Sequence, residues 1–292
     1  MTRVSRFPLF MIIPSLVVIA FVVIFPLLFS LYTSFTSYYL LDPKTLFKFV
    51  GLRNYVNLAR DVYFWEAFGR TILFLSVVVN LELFLGLVIA LLLQRIVKGS
   101  RIIRTVVMIP MMFAPVLVGF QFSYLFNDNI GLINNFLQLL GVNRAIPWLI
   151  DKRLAILSLM SAEIWTSTPI MAVILLAGLL SLPIDPFEAA KVDGASSFQM
   201  FRYITWPLLS PFVYISLTIR SLDVGRAYDI VRIMTGGGPA RRTELLWTYI
   251  YRKGIVDARF SSASAMSYIA ILISIIFTYY FFRQLIKTRV IQ

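Results

Sequence analysis

The chain contains no cysteine and no histidine. Without cysteine it has no disulfide, no thiolate chemistry and no Cys-based metal site. Without histidine it lacks the commonest metal ligand and the commonest general base. Charge is scarce too: Asp, Glu, Lys and Arg together make up 14% of the 292 residues. No paired carboxylates suited to hydrolysis, no nucleophile with its base and no P-loop can be picked out. A membrane enzyme is therefore left without a catalytic set.

What is present is apolar. Hydrophobic residues account for 59% of the chain, and the mean hydropathy is +0.83. Soluble domains are about half apolar, so the composition points to an all-α, polytopic membrane protein embedded in a lipid bilayer. The net charge of +13 has two readings. Nucleic-acid binding needs a basic face on a soluble surface, and no soluble domain is visible. Basic loops beside anionic headgroups explain the charge directly.

A span needs about twenty apolar residues. Six candidates emerge: Phe10–Tyr32, Thr71–Leu93, Val106–Phe126, Leu154–Leu180, Leu208–Leu222 and Ala263–Phe282. The fifth is short, starts among prolines and runs into Arg220 and Asp223. Pro14, Pro26, Pro110, Pro115 and Pro169 fall inside spans, which neighbouring helices make tolerable. Arg3 and Arg6 precede an apolar run as in a signal peptide. The run is longer than a signal core and no small-residue cleavage site closes it, so it predicts a retained first span. Between spans, Leu132, Phe136, Leu139 and Leu140 recur at helical spacing and predict a short interfacial helix. Thr235-Gly236-Gly237-Gly238-Pro239 predicts a flexible turn, followed by a helix over Glu244–Lys253. A phosphate cradle is not expected there, because no Lys-Ser or Lys-Thr follows and no strand precedes.

A long polar interruption in the second half is Glu188–Pro207, read with its lead-in from Leu182: LPIDPFEAAKVDGASSFQMFRYITWP. Asp185 with Glu188 has capping-box spacing, with Pro186 at the first helical position. Gly194 is the natural stop, since glycine takes the left-handed conformation at no cost. Ser196 with Gln199 forms a second capping box, opening a helix that carries Phe198 and Phe201 and ends before Pro207. Two short helices joined at a glycine are predicted, neither able to cross a bilayer. An exposed Phe198–Phe201 pair implies a partner surface. A surface hairpin with no partner is the plain alternative.

Glu188-Ala189-Ala190, Asp193-Gly194-Ala195, Ile204 and Pro207 resemble the EAA loop of ABC-importer membrane subunits, with Trp206 where that pattern has Leu. The form EAA-x-x-DGA resembles the carbohydrate-uptake branch. Ala162-Glu163-Ile164-Trp165 with Thr168-Pro169 is similar to that branch's fourth span. The run from Arg220 through TGGGP to Tyr249-Ile250-Tyr251 is similar to its last external loop. The likeness covers roughly residues 69–283. The resemblance implies a six-span type I permease bundle. It divides the chain into a first helix and external connection (1–68), a core (69–283) with its coupling loop at 182–207, and a cytoplasmic tail (284–292). It further implies contact with an ATPase through Glu188, Ala189, Ala190, Asp193, Gly194, Phe198, Phe201, Ile204 and Pro207. The implied partners are a homologous second permease subunit, an ATPase dimer that binds the ATP, and an external solute-binding protein. The chain itself would be no enzyme and hold no cofactor or metal. The setting would be a bacterial inner membrane with both termini cytoplasmic. Arg3 and Arg6 agree with that orientation; the full Lys and Arg count favours it only weakly.

Ionisable groups inside spans mark either a solute pathway or a packing contact. Glu82 and Glu163 qualify, with Thr166 and Ser167 on the Glu163 face. For each, the wall of the pathway and an interhelical hydrogen bond are both open. Trp165 and Thr168 join them as pathway candidates, and Trp148 and Tyr228 as aromatic faces for a pyranose, although Trp and Tyr also crowd at membrane interfaces. The solute expected is a carbohydrate or related polyol, with glycerol phosphate or another acidic solute as the alternative. A passive channel is the rival class; it has no use for a docking hairpin.

Overall fold

The computed structural model of the chain describes residues 7–42, 44, 47–96, 99–142 and 144–290. Arg3 and Arg6 lie outside the described residues. In chain order the helices are α1 (Phe7–Ile19), α2 (Phe25–Ser34), α3 (Arg53–Ala59), α4 (Val62–Arg95), α5 (Ser100–Met108), α6 (Pro115–Leu125), α7 (Leu132–Leu139), α8 (Leu154–Leu180), α9 (Asp185–Val192), α10 (Ser197–Met200), α11 (Trp206–Gly225), α12 (Asp229–Met234), α13 (Leu246–Tyr251) and α14 (Phe260–Val290). Two short strands, β1 (Thr36–Ser37) and β2 (Lys48–Phe49), pair antiparallel with Thr36 opposite Phe49. The fold is all-α and polytopic.

Among the described residues, four helical segments are long and apolar enough to cross a membrane: Met11–Ser34, Val62–Arg95, Leu154–Leu180 and Phe260–Gln284. The fourth expected span matches α8 residue for residue. The third is not the single span expected. Arg101–Met112 and Pro115–Leu125 meet at 90°, because Phe113 and Ala114 take extended backbone, each with ψ 138°. Ala114 precedes Pro115, whose ring disfavours helical backbone in the residue before it. α7 forms as expected, and its apolar face is open, with Leu139 85% exposed.

The helix opened by Ser196 does not end before Pro207, as the sequence suggested. α10 runs through a π-turn (Phe201–Thr205) directly into α11. A proline inside an α-helix lacks an N–H and its ring strikes the carbonyl four residues back. Here the turn widens ahead of it, and the Trp206 N–H bonds to the Phe201 carbonyl, five residues back. The same device precedes Pro26, where the Phe25 N–H reaches the Ala20 carbonyl across the π-turn Ala20–Ile24.

The chain forms two compact units. One comprises the chain to Phe64 with Ile250–Leu272. Within it, Thr33 Oγ1 meets Ser264 Oγ at 3.2 Å, Asn54 Nδ2 donates to the Ser34 and Thr36 carbonyls at 2.8 Å, and Tyr38 stands edge-on to Phe260. Of the Met11–Ser34 span only the end is buried, at Thr33 and Ser34; the apolar side chains from Met11 to Phe29 are exposed, a surface suited to lipid.

The other unit comprises Trp65–Tyr249 with the chain from Ile273. α8 starts where Asp151 Oδ1 accepts the Arg153 and Leu154 N–H groups at 2.8 and 3.0 Å. Those two bonds hold the Asp151 carboxyl below its ordinary range. α4, α8 and α11 pack closely. A Cβ on Gly86 would lie 2.6 Å from Met171 Cβ, and one on Gly178 would lie 2.6 Å from the Phe212 ring. In lipid, helices associate through such close packing rather than through a hydrophobic drive. Two apolar clusters result. Leu93 of α4, Leu175 and Leu179 of α8, and Leu209 and Val213 of α11 form one. Phe74, Val78, Leu159, Val224 and Phe122 belong to the other. The TGGGP segment is tied down rather than loose: the Thr243 hydroxyl meets that of Thr235 at 2.8 Å, and the Gly237 N–H donates to Thr235 Oγ1. The helix expected over Glu244–Lys253 is α13 followed by a π-turn to Val256.

Candidate functional site

α8 leads through a short turn into α9, so the polar hairpin hangs directly from a span. The Asp185–Glu188 capping box does not form. Ile184 already has helical backbone and serves as the N-cap, which puts Asp185 inside the first turn with no capping bond. Both acids still lie in that first turn and Lys191 in the last, which suits the helix dipole. Gly194 ends α9 as expected, with φ +74°. The Ala195 N–H bonds to the Ala190 carbonyl at 2.9 Å and the Gly194 N–H to the Lys191 carbonyl at 3.1 Å. This crossed pair is a Schellman motif. The Ser196–Gln199 box forms in full: the Ser196 N–H donates to Gln199 Oε1 at 2.7 Å, and the Gln199 N–H to Ser196 Oγ at 3.3 Å.

The turn therefore holds α9 and α10 at a fixed angle, and large side chains of the hairpin stand open. Val192 is 89% exposed, and Phe198 and Tyr203 are each 74% exposed. Phe201 is not among them. It is half-buried, its ring centroid 6.3 Å from that of Trp206, and it lines a cavity of about 480 Å³ with Leu91, Gln94, Arg95, Leu182 and Phe187. A second hollow of about 340 Å³ gathers Ala190, Asp193, Gly194, Gln199, Tyr203 and Ile204. Four of the nine expected ATPase-contact positions thus surround one surface depression. Glu188, Ala189 and Pro207 are exposed beside it.

Deep in the same unit, Arg220 of α11 joins two carboxylates. Its Nε donates to Glu82 Oε2 at 2.8 Å, and its Nη2 donates to Glu82 Oε1 at 2.9 Å and to Glu163 Oε1 at 2.8 Å. Asp223 lies at the edge, 3.4 Å from Nη1. The Glu82, Arg220 and Glu163 side chains are 0%, 4% and 12% exposed. The planar guanidinium fork suits such bridging; a lysine ammonium does not offer it. Glu82 and Glu163 are brought together, and both are engaged with a cation on a third helix. Arg220 escaped the sequence reading, which took it for the polar end of a weak span. The signal was available: two acids buried in spans call for a cationic partner at similar depth.

Thr168 is buried and its hydroxyl bonds to the Ile164 carbonyl at 2.6 Å. Trp165 is 38% exposed and packs on Phe122 and Phe113. Trp148 donates its indole N–H to Asn134 Oδ1 at 3.0 Å.

Comparison with known proteins gives the arrangement a family. Residues 82–292 match the model of the binding-protein-dependent transport system inner membrane component family. The chain is 36% identical over 241 residues to the trehalose/maltose transport system permease protein MalF of Thermococcus litoralis, covering 82% of this chain and 81% of that one. It is 30% identical over 276 residues to the sulfoquinovosyl glycerol transport system permease protein SmoG of Agrobacterium fabrum, covering 94% and 89%. Its fold is similar to a chain of a bacterial ABC transporter involved in the import of the acidic polysaccharide alginate, with a TM-score of 0.82, 21% identity, and coverage of 97% and 96%. With well over half of its length matched, the chain belongs to the family of binding-protein-dependent transport system inner membrane components.

Proposed function

We propose that the chain is one of two homologous permease subunits of an ATP-driven importer for a carbohydrate or related polyol. A partner ATPase dimer binds and hydrolyses the ATP, and an external binding protein delivers the solute. The observation that carries this is the hairpin at 182–207. Its Schellman turn and capping box fix α9 against α10, and Phe198 and Val192 are largely exposed on it. Exposed apolar side chains on a polar loop suit a docking surface for a partner, and a passive channel has no need of one. ATP-driven closure of the ATPase pair would move the hairpins, and the bundle would alternate between outward and inward openings.

The sugar assignment draws on the relative named for trehalose and maltose and on the likeness of 69–283 to the carbohydrate branch. Trp165, partly exposed on α8, is the residue offered to the solute. The hairpin and the tail at 284–292 face the cytoplasm. Reconstitution with the ATPase and binding protein tests the function. Uptake of a labelled disaccharide that requires ATP and the binding protein is the expected result. ATP-independent uptake would replace the importer with a facilitator. Uptake of anionic solutes alone would favour the acidic-solute alternative.

A further inference from the structure

From Ser197 to Gly225 the chain is one unbroken helical run, α10, π-turn and α11, about 40 Å long at 1.5 Å per residue. Its head is the capped hairpin, and Arg220 lies near its far end. α8, which leads into the same hairpin, packs along α11. The two helices are thus joined at one end by the covalent hairpin, and further along by the Arg220–Glu163 bridge of 2.8 Å. Arg220 also grips α4 through both oxygens of Glu82. Along α4 and α11 the ions fall between the two apolar clusters, and on α8 Glu163 lies within one of them, between Ala162 and Met171. On α4, Glu82 lies between Val79 and Ala90; on α11, Arg220 lies between Val213 and Val224.

Sliding α11 against α8 or α4 would strip a buried charge of its partner, which is strongly unfavourable where water cannot replace it. Apolar contacts alone are non-directional and carry no such penalty. We propose that the Glu82–Arg220–Glu163 cluster is the latch that makes α4, α8 and α11 one lever, so that displacement imposed at the hairpin reaches the Trp165 region of α8. Arg220 is a positioning residue in this scheme; it touches neither solute nor ATPase. The inference rests on the hairpin being the ATPase contact.

The test compares solute moved per ATP hydrolysed in the full reconstituted complex. In a triple variant, Glu82→Met, Glu163→Met and Arg220→Met, every buried charge is replaced by an apolar chain of similar length. Such replacements of whole ion clusters commonly preserve folding. The complex should assemble, hold its ATPase and hydrolyse ATP, while solute per ATP falls about ten-fold or more, in the range of a lost coupling energy. A cluster that serves only folding would leave that ratio at the parent's value in the assembled triple variant, and that result overturns the latch. Arg220→Lys gives a second reading. It keeps the charge without the fork, so a ratio between parent and triple variant is expected, and a parental ratio counts against the latch. Gly194→Val, with the cluster intact, is the control. Normal stimulated turnover there would remove the hairpin as the contact and the latch with it, a pattern distinct from failure of the latch alone.

Discussion

Glu82 and Glu163 are both carboxylates of Arg220, yet their positions differ in ways that substitution should read. Glu82 receives two bonds from Arg220 and has no exposed surface; Glu163 receives one from Arg220 and a longer one from the Ser167 hydroxyl at 3.4 Å, and keeps 12% of its side-chain surface open. Removing Arg220 alone leaves two buried acids without a cation, which costs about 3–5 kcal/mol when a buried pair is broken. Arg220→Met should therefore lower the thermal midpoint of the purified complex the most, Glu82→Ala less and Glu163→Ala least. The triple replacement by Met should lie closer to the parent than Arg220→Met. An Arg220→Met midpoint equal to the parent's would contradict the buried pairing. The acids were legible in the sequence because charge inside an apolar run stands out. Their union was not, because it depends on which helices face each other, and sequence spacing alone does not supply that.

At the scale of the element, the hairpin separates what local chemistry dictates from what it does not. Gly194 and the Ser196–Gln199 box depend on residues within a few positions of one another, and both appear as the sequence specified. Asp185 has the same credentials as a cap. However, the Phe187 and Glu188 N–H groups both bond to the Ile184 carbonyl, so the helix starts one residue early and the carboxylate has no capping task. Ser196→Ala should cost about 0.5–2 kcal/mol of local helix stability and speed amide exchange at Gln199, whereas Asp185→Ala should leave exchange in α9 nearly unchanged. Equal effects from the two would mean the caps are misassigned. Pro207 misled for a related reason. A proline stops an α-helix, but a π-turn placed before it carries the helix on, and nothing in the residue pattern announces that turn. The bend at Phe113–Ala114 is the converse case, where Pro110 and Pro115 together break what hydropathy reads as one span.

At the scale of the whole molecule, coupling through the hairpin requires the hairpin and the TGGGP loop to lie on opposite sides of the membrane. The chain lacks cysteine, so single cysteines report topology without background. Ser196→Cys should resist a membrane-impermeant thiol reagent applied to intact cells, and Arg242→Cys, close to that loop, should react. The reverse pattern would invert the orientation. Among the described residues four helical segments and one bent pair have the length and hydropathy of spans; α11, with Arg220 and Asp223 in its last turns, joins the bundle through its packing on α8.

The central claim is that the hairpin couples this chain to ATP hydrolysis, and Gly194 tests it most directly. At φ +74° an added side chain is strained by about 1–2 kcal/mol, yet a Cβ there meets nothing within 4 Å. Gly194→Val therefore disturbs the angle between α9 and α10 without touching a span. The measurement is ATP hydrolysis stimulated by the loaded binding protein, in Gly194→Val and in Phe198→Ala, which removes the exposed ring and leaves the half-buried Phe201 in place. Stimulation should be lost in the first variant and weakened in the second, with the subunit still inserted. Full stimulation in both would contradict the coupling role of this hairpin.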